Sequence, residues 1–163
     1  MTIRDLTAAD LDWVLEINRE HEALLSVLDR DGLARLVDMA TLARGIEGEA
    51  FLLGMDAGAD YESWNFQWFQ SRYPAFLYVD RVAVASSAAG GGQGKRLYSD
   101  FYDNAARMSY PMVCAEVNSD PPNDASLAFH AKQGFSTVGE EAVPGRGKSV
   151  RFFAKDLKPA AGS

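Results

Sequence analysis

The sequence has little of the material that disulfides and metal sites require. Cys114 is its one cysteine, which excludes an intrachain disulfide and a cysteine metal cluster. It lies in the apolar run at residues 111–115, where a small buried side chain is expected rather than a nucleophile. The two histidines, His21 and His130, argue against a zinc site built on imidazole ligands. We therefore expect no metal and a reducing, cytoplasmic setting.

Long apolar runs and an excess of positive charge are also missing. No stretch approaches the roughly 20 apolar residues that a membrane span needs, and residues 1–5 lack the basic-then-apolar pattern of a signal peptide. With 16 Lys and Arg against 23 Asp and Glu, the net charge is −7. This balance argues against a nucleic-acid partner, because such binding draws on clustered cations. An acidic surface would suit an amine substrate, although it also serves simply for solubility.

The apolar pattern predicts one mixed α/β domain at residues 1–158, followed by a disordered tail at residues 159–163. Residues 75–85 form the clearest strand, since a nearly continuous apolar run is typical of a central strand. Further strands are predicted at residues 3–6, 39–44, 50–55, 112–117, 135–140 and 149–157. Helices are predicted at residues 7–25 with Thr7 as N-cap, after a cap at Asp29 or Asp31, at residues 95–108 and at residues 124–133.

A glycine-rich turn follows the clearest strand and precedes a helix. Its residues are Gly90, Gly91, Gly92, Gln93 and Gly94. Glycines let backbone N–H groups approach a phosphate, and the helix N-terminus adds a favourable dipole. Lys95 and Arg96 do not supply the Lys-Ser or Lys-Thr pair of a Walker loop, and Leu97 takes the place of the third glycine of a dinucleotide fingerprint. Alone, the turn indicates either an anion site or a flexible connection.

Two segments in a fixed order carry a family resemblance. Residues 78–84 and the glycine turn are similar to a pattern that reads Arg/Gln-x-x-Gly-x-Gly/Ala at a helix start after a fourth strand. A later segment, Asn123-x-x-Ser126-Leu127-x-Phe129-His130-x-Lys132-x-Gly134-Phe135, is similar to a helix that ends in Phe/Leu-Tyr-x-Lys-x-Gly-Phe. Both patterns belong to the GNAT superfamily of N-acetyltransferases, which the chain resembles over its whole length. The resemblance implies a central mixed, mostly antiparallel sheet flanked by helices.

The resemblance also implies a cofactor, acetyl-CoA, and a set of residues that bind it. The backbone of Val82, Ala83 and Val84 would bind the pantetheine arm like an added strand. Asn123 and Ser126 would border the same arm. The pyrophosphate would lie on the backbone N–H groups of the loop formed by Ala89, Gly90, Gly91, Gly92, Gln93, Gly94 and Lys95.

The implied activity is direct attack of a primary amine, on a small molecule or a peptide, on the acetyl thioester within a ternary complex. Glu116 and Asp80 are the candidate bases. Glu116 lies in an otherwise apolar strand, where partial burial would raise its pKa; it could instead face solvent or pair with Arg81. Asp80 beside Arg81 could equally form a structural ion pair.

Two positions depart from the family pattern. Ala89 replaces the usual Arg or Gln, so phosphate binding must depend mainly on backbone N–H groups, with Lys95 or Arg96 available to help. His130 stands where a tyrosine general acid is common. An imidazole could protonate the departing thiolate, but His130 could also be a helix-face contact or a plain surface histidine.

The segment at residues 61–73 carries six aromatic residues in thirteen. We expect a segment this apolar to pack against another surface rather than to form an exposed loop. Trp64, Phe66 and Trp68 are our candidates for the wall of the acceptor pocket. Core packing or a homodimer contact is the alternative.

Two other functions remain open. The first is a catalytically silent acyl-CoA-binding or regulatory domain on the same fold, which the departures at Ala89 and His130 would suit. The second is a nucleotide-binding α/β protein. Within enzymes, a longer acyl-CoA could also replace acetyl-CoA.

Overall fold

The computed structural model describes residues 2–157 of the chain. The predicted tail at residues 159–163 and the predicted domain end at residue 158 lie outside these described residues.

The strands and helices follow each other along the chain in the predicted order, with one additional helix between β3 and β4. The strands are β1 (Arg4–Asp5), β2 (Leu42–Ile46), β3 (Ala50–Asp56), β4 (Leu77–Val84), β5 (Met112–Asp120), β6 (Ser136–Val143) and β7 (Lys148–Asp156). The helices are α1 (Leu11–Glu20), α2 (Arg30–Met39), α3 (Trp64–Gln70), α4 (Gln93–Arg107) and α5 (Asp124–Lys132). Two short 3-10 helices, Ala8–Asp10 and Ser86–Ala88, precede α1 and the glycine turn. No helix among residues 2–157 is long and apolar enough to cross a bilayer.

The strands form one sheet in the order β1-β2-β3-β4-β5-β7-β6. Every neighbouring pair is antiparallel except β4 and β5, which are parallel. The predicted mixed, mostly antiparallel sheet flanked by helices is therefore confirmed.

Side chains at the helix starts explain where three helices begin. The Asp10 carboxylate accepts the Thr7 N–H at 2.9 Å and completes a capping box with the Thr7 hydroxyl. Asp29, rather than Asp31, caps α2, because its side chain accepts the Gly32 N–H at 2.7 Å. Asn123 caps α5 by accepting the Ser126 N–H at 3.3 Å.

Two sequence predictions differ from the structure. α1 ends at Glu20 and not near residue 25, because the chain turns back so that the Asn18 amide can donate to the Ser26 carbonyl at 3.1 Å. The aromatic segment contains a helix, α3, that the sequence analysis did not predict. Ser63 caps it by accepting the Phe66 N–H at 3.4 Å.

A β-bulge in β4 decides which of its side chains face which helices. Leu53 of β3 lies opposite Arg81 and Gly54 lies opposite Val79, so Asp80 is the extra residue. One inserted residue exchanges the two faces of a strand. As a result Tyr78 and Ala83 share the core beneath α1, α2 and α3, while Val79 belongs to the core beneath α4.

Candidate active site

The two central strands separate and open a cleft between them. Within the described residues, β4 and β5 pair at two positions, Leu77 with Val113 and Tyr78 with Cys114. Beyond these pairs the strands diverge around a cavity of about 660 Å³. The cavity is lined by residues 79–84 of β4, residues 115–118 of β5, the glycine turn and the start of α5.

The backbone of β4 offers hydrogen-bonding groups to this cleft at alternate residues. The Ala85 N–H donates to the Glu49 carbonyl at 2.7 Å, so Ala85 and Ala83 direct their backbone groups toward β3. Val82 and Val84 consequently direct theirs into the cleft. The Val84 carbonyl also lies 2.8 Å from the His21 ring. Ala83 is one of the three strand residues predicted to bind the pantetheine arm. It lines the cavity, but its backbone groups pair with β3 and do not face the cleft.

The glycine turn brings the N-terminus of α4 to the same cleft. Gly90 and Gly92 have φ values of +85° and +80°, in the left-handed region that favours glycine. The first backbone bond into the helix runs from the Arg96 N–H to the Gly92 carbonyl, so the N–H groups of Gln93, Gly94 and Lys95 precede the hydrogen-bonded ladder. Gly90 and Gly94 line the cavity.

The other predicted loop residues take different positions. Ala89 is exposed and ends the short 3-10 helix. Gly91 packs against Gln93, whose amide donates to the Glu49 carboxylate at 3.0 Å rather than pointing into the cleft. The Lys95 side chain is exposed. The loop therefore presents mainly backbone groups to the cleft.

The start of α5 forms the opposite wall. Asn123, Ser126 and His130 all line the cavity, and His130 is only 4% exposed. Its Nδ1 lies 2.8 Å from the Ser126 carbonyl, which requires an Nδ1–H donor, and its Nε2 lies 2.7 Å from the Tyr98 hydroxyl. Burial lowers the pKa of the His130 imidazole. A neutral ring with both nitrogens engaged favours a positioning role over proton donation.

A second cavity, of about 890 Å³, meets the first at the bulge. It is lined by residues 22–27 after α1, residues 61–65 before and in α3, and the β6–β7 hairpin. Glu116, Asp80 and Arg81 line both cavities, as do Leu24 and Leu25. A group held at this junction can touch molecules in both cavities.

Glu116 at the junction is poised to exchange a proton near neutral pH. Burial, followed by the charge of Asp80, raises the pKa of the Glu116 carboxyl to about 7. The charge of Lys148 and the Tyr78 hydroxyl, which donates to Glu116 at 3.3 Å, partly offset this rise. Glu116 has no ion pair with Arg81, because that guanidinium binds Asp80.

Asp80 is held in a buried network. One of its oxygens accepts from the Tyr61 hydroxyl at 2.6 Å and the other from Arg81 Nε at 2.9 Å. Arg81, 6% exposed, also donates to the Asn18 amide oxygen and the Ser26 hydroxyl. The bulge thus ties the segment after α1 to the sheet. Asp80 was predicted to be either a catalytic base or part of a structural ion pair, and this geometry favours the ion pair.

The three aromatic candidates separate in the structure. Phe66 is fully buried and makes edge contacts with Phe76 and Tyr78. Trp68 is 8% exposed and stacks on Phe152. Trp64 alone of the three lines a cavity, the second one. Phe66 and Trp68 belong to the core and have no free face for an acceptor, because α3 turns its apolar side toward the sheet.

Three residues at the junction of the two cavities were not predicted from the sequence as site residues. Tyr61 and Tyr78 donate to the two acidic candidates, and Lys148 influences one of them from the hairpin. Each lies in a separate element, so no local spacing connects them. Within the described residues, no group of three or more His, Cys, Asp or Glu side chains is arranged to hold a metal.

Comparisons with known proteins identify the family and the fold of the chain. The profile of the acetyltransferase (GNAT) family matches residues 21–135. A search of curated protein sequences gives no match. Among solved structures, Ard1 from Thermoplasma volcanium is similar with a TM-score of 0.75 and 16% identity, covering 96% of this chain and 97% of that chain.

Two further structures show the same fold. A ribosomal-protein-alanine N-acetyltransferase from Brucella melitensis has a TM-score of 0.71 and 24% identity, covering 96% of this chain and 100% of that chain. The putative acetyltransferase yncA from Salmonella typhimurium, solved with its cofactor acetyl-CoA, has a TM-score of 0.69 and 21% identity, covering 100% of this chain and 97% of that chain.

Proposed function

The chain belongs to the acetyltransferase (GNAT) family, and from this membership we propose that it transfers an acetyl group from acetyl-CoA to a primary amine of a small molecule or peptide. The observation that carries the proposal is the meeting of two cavities at Glu116. One cavity has the features of a cofactor cleft and the other is open to a second reactant, as a ternary-complex reaction requires.

The first cavity fits an acetyl-CoA molecule. The backbone groups of Val82 can pair with the amides of a pantetheine arm in the place that β5 leaves vacant. The N–H groups of Gln93, Gly94 and Lys95 can bind the pyrophosphate, since anions bind favourably at a helix N-terminus. The solved complex of yncA holds acetyl-CoA on the same fold.

Bound acetyl-CoA would supply the acetyl group as a thioester, whose C–S bond breaks as the C–N bond of the amide forms. Glu116 accepts one proton from the ammonium of the acceptor, directly or through one water, so that a neutral amine attacks. The second proton leaves the nitrogen as the amide forms and passes to the departing thiolate, which gives free CoA. A carboxyl pKa of about 7 suits this task, because a sizeable ionised fraction is present at neutral pH.

Asp80 and His130 have supporting roles in this proposal. Asp80 fixes Arg81 and, through its charge, helps to keep the pKa of Glu116 raised. His130 binds the Ser126 carbonyl and the Tyr98 hydroxyl, and so holds α5 against α4 beside the cleft. Trp64 is the one predicted aromatic that can contact an acceptor.

The proposal includes a cytoplasmic setting, for which the single cysteine is the support. It also includes no nucleic-acid partner, which the net charge of −7 supports. The silent CoA-binding alternative accounts for the first cavity but not for a second cavity that shares Glu116 with it.

Thiol release from acetyl-CoA, followed across a panel of amines, amino acids and peptides, tests the proposal. We expect release that depends on an added amine and yields the acetylated product by mass spectrometry. Calorimetry with CoA runs alongside. CoA binding without turnover on any amine would replace the proposal with the silent domain, and absence of CoA binding would overturn both.

A further inference from the structure

The second cavity contains two cations that have no carboxylate partner within the part of the chain that the structure describes. Arg146 and Lys148 lie on the β6–β7 hairpin and line this cavity. No ion pair within 4.0 Å involves either one among residues 2–157. Arg81, the third cation of the lining, is different, because Asp80 neutralises it at 2.9 Å.

The strand register relates Lys148 to Glu116. Phe152 of β7 lies opposite Glu116 of β5, and Lys148 precedes Phe152 by four residues, so the two side chains leave the same face of the strand. Four residues of strand span about 13 Å, and a lysine side chain can reach over part of that distance. The Lys148 charge already acts on Glu116, since it partly offsets the rise in the Glu116 pKa.

The lining therefore combines a proton acceptor with cations from a different element. Glu116 of β5 is shared with the cofactor cleft, and the hairpin cations have no ion pair among residues 2–157. Trp64, Tyr61 and Leu25 add apolar and aromatic side chains to the same lining. The acids Glu22 and Glu62 also line the cavity, but they are exposed and belong to the loops after α1 and before α3.

We propose that the acceptor is a free amino acid, with its amine at Glu116 and its carboxylate bound by Lys148 and assisted by Arg146. This inference rests on the proposed acetyltransferase function and deepens it. A carboxylate that binds cations fits this arrangement, whereas a peptide N-terminus carries a neutral amide at the corresponding atom.

Matched acceptors test the carboxylate directly. Leucine and phenylalanine are compared with leucinamide, phenylalaninamide and phenethylamine in the thiol-release assay. We expect kcat/KM for the amino acids to exceed that for the amides about tenfold or more, as an ionic hydrogen bond contributes. The amides have less basic amines and present more of the reactive neutral form, so without carboxylate recognition they would be the faster acceptors.

Two variants assign the preference to the hairpin. Lys148→Gln should raise KM for the amino acids about tenfold. The assay is run well above pH 7, where Glu116 is ionised with or without the Lys148 charge, so that kcat and the rate on phenethylamine change little. Lys132→Gln is the matched control, because Lys132 is an exposed lysine on α5 that lines neither cavity. Calorimetry of leucine and leucinamide with the CoA-saturated protein gives a readout independent of turnover, in which only leucine should bind and Lys148→Gln should weaken it.

The outcomes separate this inference from the function on which it rests. Turnover that favours amides or peptides, with no effect of Lys148→Gln, would overturn the amino-acid acceptor and leave the transferase intact. If no acceptor releases thiol, the transferase proposal fails. In that case calorimetry decides the carboxylate site. Tighter binding of leucine than of leucinamide would support the site, and equal binding would overturn it.

Discussion

The pKa values of single side chains in this protein depend more on the groups packed around them than on their neighbours in sequence. Glu116 sits in a strand of apolar residues, and burial together with the charge of Asp80 raises its pKa to about 7. His130 shows the opposite effect of the same burial, since its imidazole pKa is lowered. One desolvated environment therefore holds a carboxyl ready to exchange a proton and keeps a nearby imidazole neutral.

Glu116→Gln should lower kcat about 100-fold, because a positioned general base contributes roughly that much. CoA affinity should change little. In the unmodified protein the rate should rise with pH through about 7 and then level off, since the ionised carboxylate is the base. The variant should lose this step.

The pH dependence of thiol release and calorimetry with CoA provide the measurements. Glu16→Gln is the control, because Glu16 is 73% exposed on α1. A normal rate in Glu116→Gln would remove this carboxyl from the mechanism.

Asp80→Asn should destabilise the fold by about 3–5 kcal/mol, because it leaves the buried Arg81 without its carboxylate. It should also move the pH step in the rate downward, since the charge of Asp80 raises the pKa of Glu116. Urea unfolding and the pH–rate profile measure the two effects. Asp12→Asn, at an exposed pair with Arg30, should change stability by only about 0.5 kcal/mol; an equally small effect of Asp80→Asn would contradict the structural role.

At the scale of elements, small departures from regularity build the site. The Asp80 bulge redirects Arg81 beneath α1, and the left-handed Gly92 starts α4 so that its first N–H groups face the cleft. α3 is a helix that its own sequence pattern does not predict. Its seven residues pack Phe66 and Phe69 into the core, and this packing stabilises the helix more than its intrinsic propensity does.

Gly92→Asp should weaken CoA binding about tenfold or more, because it places a charge and a side chain beside the pyrophosphate site. Gly48→Asp is the matched control. Gly48 has a φ of +70° and, like Gly92, open space where a Cβ would be added, so both variants should lose about 1 kcal/mol from backbone strain.

Calorimetry with CoA and urea unfolding distinguish the two contributions. Equal stability losses with only Gly92→Asp impaired in binding would support the anion site. Unchanged CoA affinity in Gly92→Asp would mean that the loop is only a turn.

At the scale of the whole molecule, the cofactor cleft lies where separate parts of the chain converge. β4, α4 and α5 each contribute one wall, and the two apolar cores lie on opposite faces of the sheet beneath them. A ligand in the cleft therefore contacts elements from most of the chain and should stabilise them together.

CoA at 100 times its dissociation constant should raise the free energy of unfolding by about 2.7 kcal/mol, as binding to the folded state alone requires. ATP at the same concentration should give no comparable rise. Urea unfolding in each ligand measures this. Stabilisation by ATP without stabilisation by CoA would instead indicate the nucleotide-binding alternative.

The sequence by itself determined the order of elements other than α3, the cap at Thr7, the glycine turn and the family to which they point. These are local features, and they form because neighbouring residues contact each other in any compact state of the chain. The mixed, mostly antiparallel sheet was implied by that family resemblance and by no local pattern, and the structure showed that β4 and β5 are its parallel pair.

The tertiary structure alone decided how the site is assembled. It placed Phe66 and Trp68 in the core, engaged both nitrogens of His130, and joined Tyr61, Asp80 and Arg81 in one network. It also placed Lys148 in the strand that pairs with the strand of Glu116, and both residues in the lining of the second cavity. These relations depend on strand register, a bulge and desolvation, which arise only when distant segments pack together, so no spacing along the chain could predict them.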